Sequence, residues 1–320
     1  MDISVVVPVY GCRSALPVLC ERLNNTLSSI VNEYEIILVE DNCPQGSWES
    51  IKELCENDKR IKGIHLSRNF GQANAITAGI DICTGDWVVV MDCDLQDPPE
   101  AIVDLYKKAQ EGYDVVFARR IQRKDTAVTL FLSRSFYRVL SYFTEEDIDP
   151  SIGNFSVSRR SVIENYCRMR EQNRAYQMFI KWLGFRQTSI DIECEERYEG
   201  RSSYNMRKKI RFAVSLITTH SNKPLKLSIK LGFILSSLAM IYILVLIIQK
   251  IMGRDILAGW TSIIAAVVIM GGLILMMLGI VGIYIGNIFN EVKNRPIYVI
   301  SEAINCENRY GGDSKKCSTD

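Results

Sequence analysis

The chain has few histidines, no paired cysteine motif and no glycine-rich phosphate loop, and each lack closes a class of function. His65 and His220 are the only two histidines in 320 residues. The ten cysteines (Cys12, Cys20, Cys43, Cys55, Cys83, Cys93, Cys167, Cys194, Cys306 and Cys317) form no CxxC pair, which argues against a zinc site. Scattered cysteines without a framework point to a reducing compartment. The first β-rich run ends in PVYGCRSALP with one glycine, so the GxGxxG turn of a dinucleotide oxidoreductase is missing, and so is GxxxxGK[ST]. A formal net charge of +1 gives no polycation for nucleic acid. MDISVVVPVYG has neither the basic n-region nor the long apolar run of a signal peptide. The expectation is a folded domain that starts in the cytoplasm.

What is present is alternation. Ile3–Val9, Glu35–Val39, Ile61–Leu66, Trp87–Met91 and Val115–Ala118 are short apolar runs rich in β-branched residues. Between them Ala15–Ile30, Ser47–Asn57, Ala73–Ile82 and Pro98–Gln110 have helical spacing. Such alternation predicts an α/β domain with a mostly parallel, Rossmann-like sheet covered by helices on both faces. Further on, Thr126–Phe143 and Arg174–Leu183 read as helical, IGNFSVSRR as a strand running into a helix, and Ser189–Glu193 as a strand. Ligands of such sheets bind beyond the carboxyl ends of the strands. The polar clusters Glu40-Asp41-Asn42, Ser67-Arg68-Asn69 and Asp92-Cys93-Asp94 stand at those ends, so they are expected to share one edge.

The acidic stretch MDCDLQDPPE ends a buried strand with Asp92 and Asp94 two residues apart and Asp97 behind them. Carboxylates at a strand end cost stability unless water, a donor or a cation compensates them. DPP also suits a solvated turn before a helix. A divalent cation with two protein carboxylates and open positions suits a diphosphate ligand, and without a glycine-rich loop a metal is the better holder of phosphate. Arg68 and Asn69 face the same edge as candidate nucleotide contacts. Arg119, Arg120 and Arg123 follow the last strand of the alternation, where a guanidinium could meet a phosphate.

The remaining third of the chain is different in kind. From Arg201 to Lys230 there are eight Lys or Arg and no Asp or Glu, and Ile210, Ala213, Val214 and Ile217 share a helical face. This reads as a basic amphipathic helix on an anionic membrane surface. Leu231–Gln249 and Thr261–Phe289 are uncharged apolar runs of bilayer-spanning length. The expected order is a catalytic domain over 1–200, a juxtamembrane segment over 201–230, a two-helix transmembrane hairpin over 231–289 and a cytoplasmic tail over 290–320. Basic residues before the first span put that side, and the domain, in the cytoplasm, giving a multi-pass protein of the cytoplasmic membrane. The Gly282–Gly286 pair has the spacing that lets helices pack closely, within the hairpin or in a homo-oligomer.

With VVVPVYG, ILVEDN, LSRNFGQANAITAGI, GDWVVVMDCDLQDPPE, GNFSVSRRSVI, WLGF, RYEGRSSYNMRKKI, SNKPLKL and YIGNIFNEVKNRPIYVI in this order, the chain resembles membrane-anchored family 2 glycosyltransferases of the GT-A fold. The branch includes dolichol-phosphate mannose synthase and bacterial polyprenyl-phosphate glycosyltransferases. The resemblance covers nearly the whole chain. It implies a nucleotide-sugar donor, a UDP-sugar foremost, a polyprenyl phosphate acceptor among membrane lipids, and Mg²⁺ or Mn²⁺. It implies that Asp92 and Asp94 hold the metal, with Asp94 the direct ligand, and that Asp41 meets the base and ribose beside Pro8, Tyr10 and Asn69. Gln96, Asp97 and Arg119 are implied sugar or acceptor contacts. Arg197, Ser202 and Tyr204 match a segment that closes over the diphosphate, with Ser203 where a lysine is frequent and Arg201 able to compensate.

One departure bears on the reaction. Many relatives have GDF where this chain has GNF, and Asn154 cannot take up a proton at neutral pH. An anionic phosphate acceptor needs no base, whereas a hydroxyl acceptor does. Asp149 could instead supply a carboxylate, or the acceptor class could differ, for example a hydroxyl of a lipid-linked glycan. The QxxRW signature of processive synthases is missing. An inactive membrane scaffold is the reading of another class, and the intact Asp41, Asp92 and Asp94 speak against it.

Overall fold

The computed structural model describes residues 1–121, 138–144, 149, 151–195, 214, 217–219, 221–252 and 259–306. The chain divides into two compact units, 1–125 with 149–203 and 296–320, and 126–148 with 204–295.

The first unit is built on one eight-stranded sheet. In chain order its elements are Ile3–Val9 (β1), Ala15–Ser28 (α1), Tyr34–Glu40 (β2), Ser47–Asn57 (α2), Ile61–Leu66 (β3), Gln72–Ile82 (α3), Trp87–Val90 (β4), Ile102–Gln110 (α4), Val115–Arg120 (β5), Ile152–Arg159 (β6), Arg160–Arg168 (α5), Tyr176–Trp182 (α6), Gln187–Ile192 (β7) and Ile300–Ile304 (β8). The strand order is β7-β5-β6-β4-β1-β2-β3-β8. β1 pairs in parallel with β2 and β4, β2 with β3, and β5 with β7. β6 runs antiparallel to both β4 and β5, and β8 antiparallel to β3.

β1 and β2 are buried along their whole length, which is why both read as nearly unbroken apolar runs. One apolar layer joins Val5, Val7, Ile36, Leu38, Val89 and Val116 to α1, α2 and α4; the other joins Val6, Ile37, Val88, Val90 and Phe117 to α3, α5 and α6. Each fully buried Val, Leu or Ile side chain contributes about 1.5–3 kcal/mol. Two glycines set the spacing of these layers. A Cβ on Gly79 would lie 2.4 Å from Val6 Cγ1, so glycine lets α3 rest on β1. A Cβ on Gly63 would lie 2.8 Å from Ile51 and 3.1 Å from Trp48, so glycine lets α2 rest on β3. Glu35 is a fully buried carboxylate held by Lys62 at 2.5 Å, Ser4 Oγ at 2.5 Å and the Thr84 amide at 2.6 Å. Burial pushes its pKa up, but these bonds outweigh that and leave it below the usual carboxylate value.

The expected alternation is found with ends shifted by a residue or two. Val115–Ala118 extends to Arg120 as β5, and the expected helix Pro98–Gln110 begins as a 3₁₀ turn over Pro99–Ala101. Residues 300–304, expected within a tail, form strand β8 on the outer side of β3. Tyr298 donates to Asp81 at 2.6 Å, and Asn305 Nδ2 donates to the carbonyls of Cys55 at 2.8 Å and Ile61 at 2.9 Å, fixing this segment at both ends.

The second unit contains Lys223–Ile251 (α7) and Trp260–Val292 (α8), 29 and 33 residues long. At 1.5 Å per residue these are roughly 44 and 50 Å, more than the ~30 Å hydrocarbon core of a bilayer. Both are long and apolar enough to cross a membrane. Their apolar side chains face outward, with Phe233 75% and Leu275 70% exposed, which separates them from the core helices of a soluble domain. α7 begins before the expected Leu231, so Lys223, Lys226 and Lys230 are helical. A Cβ on Gly282 or Gly286 would meet nothing within 4 Å, so this pair makes no close helix contact among the described residues. Most of the expected basic helix over 201–230, and most of the expected helix Thr126–Phe143, lies outside the described residues, though 138–144 are helical.

Candidate active site

Strand direction decides which residues meet. β1 to β4 run in parallel, so the segments after Val9, Glu40, Leu66 and Val90 emerge at one edge. β6 is antiparallel to β4 and β5, so the end of β5 and the start of β6 lie at that edge too. The β4–β6 register pairs Val90 with Ser156, and continuing it by two residues sets Asp92 opposite Asn154. Their side chains are hydrogen-bonded, with the Asn154 amide as donor to the carboxylate.

Asp92 also accepts from Gln72 Nε2 at 2.7 Å and lies 3.7 Å from Arg120. Burial, then the charges of Asp97 and Asp94, push its pKa up to about 6; Arg120 and Asn154 pull the other way. Asp94 accepts from the Gln96 amide at 3.2 Å across a turn in which Leu95 has φ +57°, a conformation that costs a non-glycine residue energy. Asp97 is buried and holds Arg120 through both oxygens, Nε at 2.9 Å and Nη2 at 2.7 Å.

No group of three or more His, Cys, Asp or Glu that could hold a metal occurs among the described residues. The candidate donors at this edge are the two hard carboxylates of Asp92 and Asp94. They fit a Mg²⁺-like or Mn²⁺-like ion that takes its other ligands from phosphate oxygens and water. They do not fit a closed all-protein metal cage. Asp94 and Asp97 add negative charge beside Asp92, which a dication would offset.

Of the residues expected to meet a nucleotide, Pro8 is buried in β1 and Tyr10 is 54% exposed beyond it. Asp41 is buried, and its oxygens accept the Phe70 amide at 2.6 Å and the Gly71 amide at 2.8 Å. Burial raises its pKa and these two amides oppose the rise. Asp41 thus ties the end of β2 to the turn that starts α3. Asn69 is exposed, and Arg68 lies over the Phe70 ring at 4.0 Å.

Two expected contacts are engaged elsewhere. Arg119 is paired with Asp191 on β7 at 2.5 Å, because neighbouring residues of a strand point to opposite faces. Its neighbour Arg120, one of the three arginines expected to meet a phosphate there, is the guanidinium that reaches the carboxylates. Asp97 is held by that same Arg120. The Gln96 carbonyl accepts the Glu195 amide at 2.9 Å, and Asp149 Oδ1 accepts the Ser151 amide at 2.9 Å. Arg197, Ser202 and Tyr204, with Arg201, Ser203 and Arg123, lie outside the described residues. A residue the sequence reading missed is Arg22 on α1. It bridges Glu100 (2.9 and 2.6 Å) and Glu195 (3.0 and 2.7 Å), clamping the acidic loop to the segment after β7. No motif marks it, since its partners are 78 and 173 residues away.

An edge of a mostly parallel sheet carrying two adjacent carboxylates and the buried Asp41 is similar to that of a GT-A glycosyltransferase. Residues 4–167 match the model of Glycosyl transferase family 2, and the chain belongs to that family. It is 36% identical over 307 residues to the uncharacterized glycosyltransferase YkcC of Bacillus subtilis (strain 168), covering 96% of this chain and 95% of that protein. It is 31% identical over 304 residues to the SfII prophage-derived bactoprenol glucosyl transferase of Shigella flexneri, covering 95% and 98%. Among solved structures it resembles glucosyl-3-phosphoglycerate synthase from Mycobacterium tuberculosis, in complex with Mn²⁺, uridine diphosphate and glucosyl-3-phosphoglycerate. That likeness has a TM-score of 0.50 at 15% identity over 68% of this chain and 78% of the other, and bears on the fold alone.

Proposed function

We propose that the chain moves a sugar from a nucleotide-sugar, with UDP-glucose the first to test, to a polyprenyl phosphate at the cytoplasmic face of a membrane. The observation that supports this most is Asn154. It sits against Asp92 as a hydrogen-bond donor, where a carboxylate base would be needed to deprotonate a hydroxyl. An amide cannot take a proton, and a phosphate monoester oxygen is already anionic. That oxygen attacks the anomeric carbon from the face opposite the leaving group. The new C–O bond forms as the bond to the diphosphate breaks, the electron pair leaves with the nucleoside diphosphate, and the configuration inverts.

Asp92 and Asp94 would hold Mg²⁺ or Mn²⁺, which when bound neutralises the diphosphate and so stabilises the leaving group. Asn154 and Gln72 orient Asp92, and Arg120 offsets charge at the same oxygens. Asp41 fixes the turn beside the nucleotide. The relatives named bactoprenol glucosyl transferase, similar over most of both chains, support the acceptor class. The apolar helices α7 and α8 fit two crossings of a bilayer. The sheet unit contains segments from both before and after these helices, which supports an even number of crossings.

The test is an acceptor assay on membranes containing the chain, with radiolabelled UDP-glucose and then other nucleotide-sugars, undecaprenyl phosphate and Mn²⁺. Label should enter an acid-labile lipid, stop with EDTA, return with Mn²⁺ or Mg²⁺, and be absent in Asp94→Ala. No lipid label with any donor, while nucleotide still binds with metal, sinks the phosphate-acceptor reading and turns attention to hydroxyls.

A further inference from the structure

The strand that returns after the apolar helices does more than cap the sheet. In the β2–β3–β8 register Glu40, His65 and Glu302 form one row across three strands. His65 Nδ1 lies 2.5 Å from Glu40 Oε2. The Trp48 ring stacks on His65 with centroids 5.2 Å apart, and its Nε1 donates to Glu302 Oε2 at 2.9 Å. Gly63 provides the space that lets Trp48 come down on this row.

Glu40 is 1% exposed, and its carboxylate gathers the loops around the nucleotide side. Oε2 accepts the Asn42 amide at 3.1 Å and Oε1 accepts the Cys43 amide. These bonds brace Asn42 at φ +48°, a left-handed conformation that asparagine tolerates better than most residues. Asn42 Nδ2 then donates to the Ser67 carbonyl at 2.9 Å, at the end of β3. Cys43 Sγ accepts the amide of Gly11, next to Tyr10, at 3.1 Å. One buried carboxylate thereby fixes three strand-end loops, and its only side-chain partner among the described residues is His65.

We infer that His65 is a positioning residue for the donor nucleotide, and that β8 sets it through Glu302 and Trp48. The segment that follows the apolar helices therefore governs donor affinity. This rests on the glycosyltransferase reading above for its kinetic consequence, though not for its structural one.

The test uses the full chain in lipid nanodiscs. His65→Ala should raise donor KM about tenfold, the scale of one hydrogen bond to a charged group, with kcat at saturating donor within about twofold. His65→Gln, whose amide can still donate to Glu40, should recover most of this. Glu302→Ala, a change at an exposed position, should raise KM about threefold, while Glu302→Gln keeps an acceptor for Trp48 and should behave as the parent. A donor KM within twofold of the parent in His65→Ala, or a loss confined to kcat, overturns the inference. Hydrogen exchange supplies a readout that needs no donor: the Asn42 and Cys43 amides should exchange faster in both alanine variants. If the parent transfers no sugar from any donor, the transfer reading fails, and unchanged exchange at those amides overturns this inference separately.

Discussion

Replacing Arg120 by methionine tests the electrostatics of the site most directly. Asp97 is 1% exposed and has both oxygens on Arg120, and the side chain of Arg120 is 30% exposed. Removing one partner of a fully buried pair costs about 3–5 kcal/mol, because the other charge is left without compensation. Water reaches part of this guanidinium, which lowers the figure to about 2–4 kcal/mol. For a unit of this size each kcal/mol moves the melting temperature by about 2–4 °C, so Arg120→Met should melt roughly 5–15 °C lower. Methionine keeps much of the apolar volume, so packing is not the main loss. The assay is thermal unfolding in detergent at neutral pH, alongside Asp97→Asn and the double variant. The penalty arises from a stranded charge, so adding Asp97→Asn to Arg120→Met should restore more than half of it. A melting point within 2 °C of the parent for Arg120→Met, or a double variant no better than the single, would refute the reasoning.

Other expectations follow from the same geometry. Asn154→Ala removes a donor to a charged oxygen and should lower kcat/KM about tenfold in the acceptor assay; a change under twofold would show that Asn154 does not orient Asp92. Gly63→Ala drives a methyl against Ile51 and Trp48 and should destabilise by about 1–3 kcal/mol, read as a lower melting point, with no loss marking α2 as free to shift. Glu35 has a folded pKa below its unfolded value, so its stabilisation is complete above the unfolded value near pH ~4.3 and is lost as pH falls through the folded one. The melting difference between the parent and Glu35→Gln should therefore shrink from pH 7 towards pH 3, and a constant difference would contradict the pairing with Lys62.

The parts of this molecule that could be read from sequence are those written in local periodicity. Apolar runs bounded by polar clusters located β1 to β4, and the parallel arrangement then put Asp41, Asn69, Asp92 and Asp94 on one edge. What stayed hidden depends on pairing between distant segments. Asp92 meets Asn154 only because β6 inserts antiparallel beside β4. Arg120 rather than Arg119 reaches the carboxylates because β5 has an irregular register between Phe117 and Arg119, and no composition rule says which face follows it. The partners of Asp41 are backbone amides, which have no residue signature. β8 is five residues, Ile-Ser-Glu-Ala-Ile, with too little alternation to stand out beside the long apolar helices before it.

The position of β8 also has a consequence for synthesis. β3 leaves the ribosome early, yet its outer partner is translated more than two hundred residues later, after both apolar helices. At roughly 5–20 residues per second, the β3 edge stays open for on the order of 10–50 seconds. An open strand edge is a template for pairing with another chain, so this interval is when the nascent protein is most exposed to aggregation. Overexpression that outpaces membrane insertion should lengthen the interval, and yield should depend on insertion capacity more than on the stability of the finished sheet.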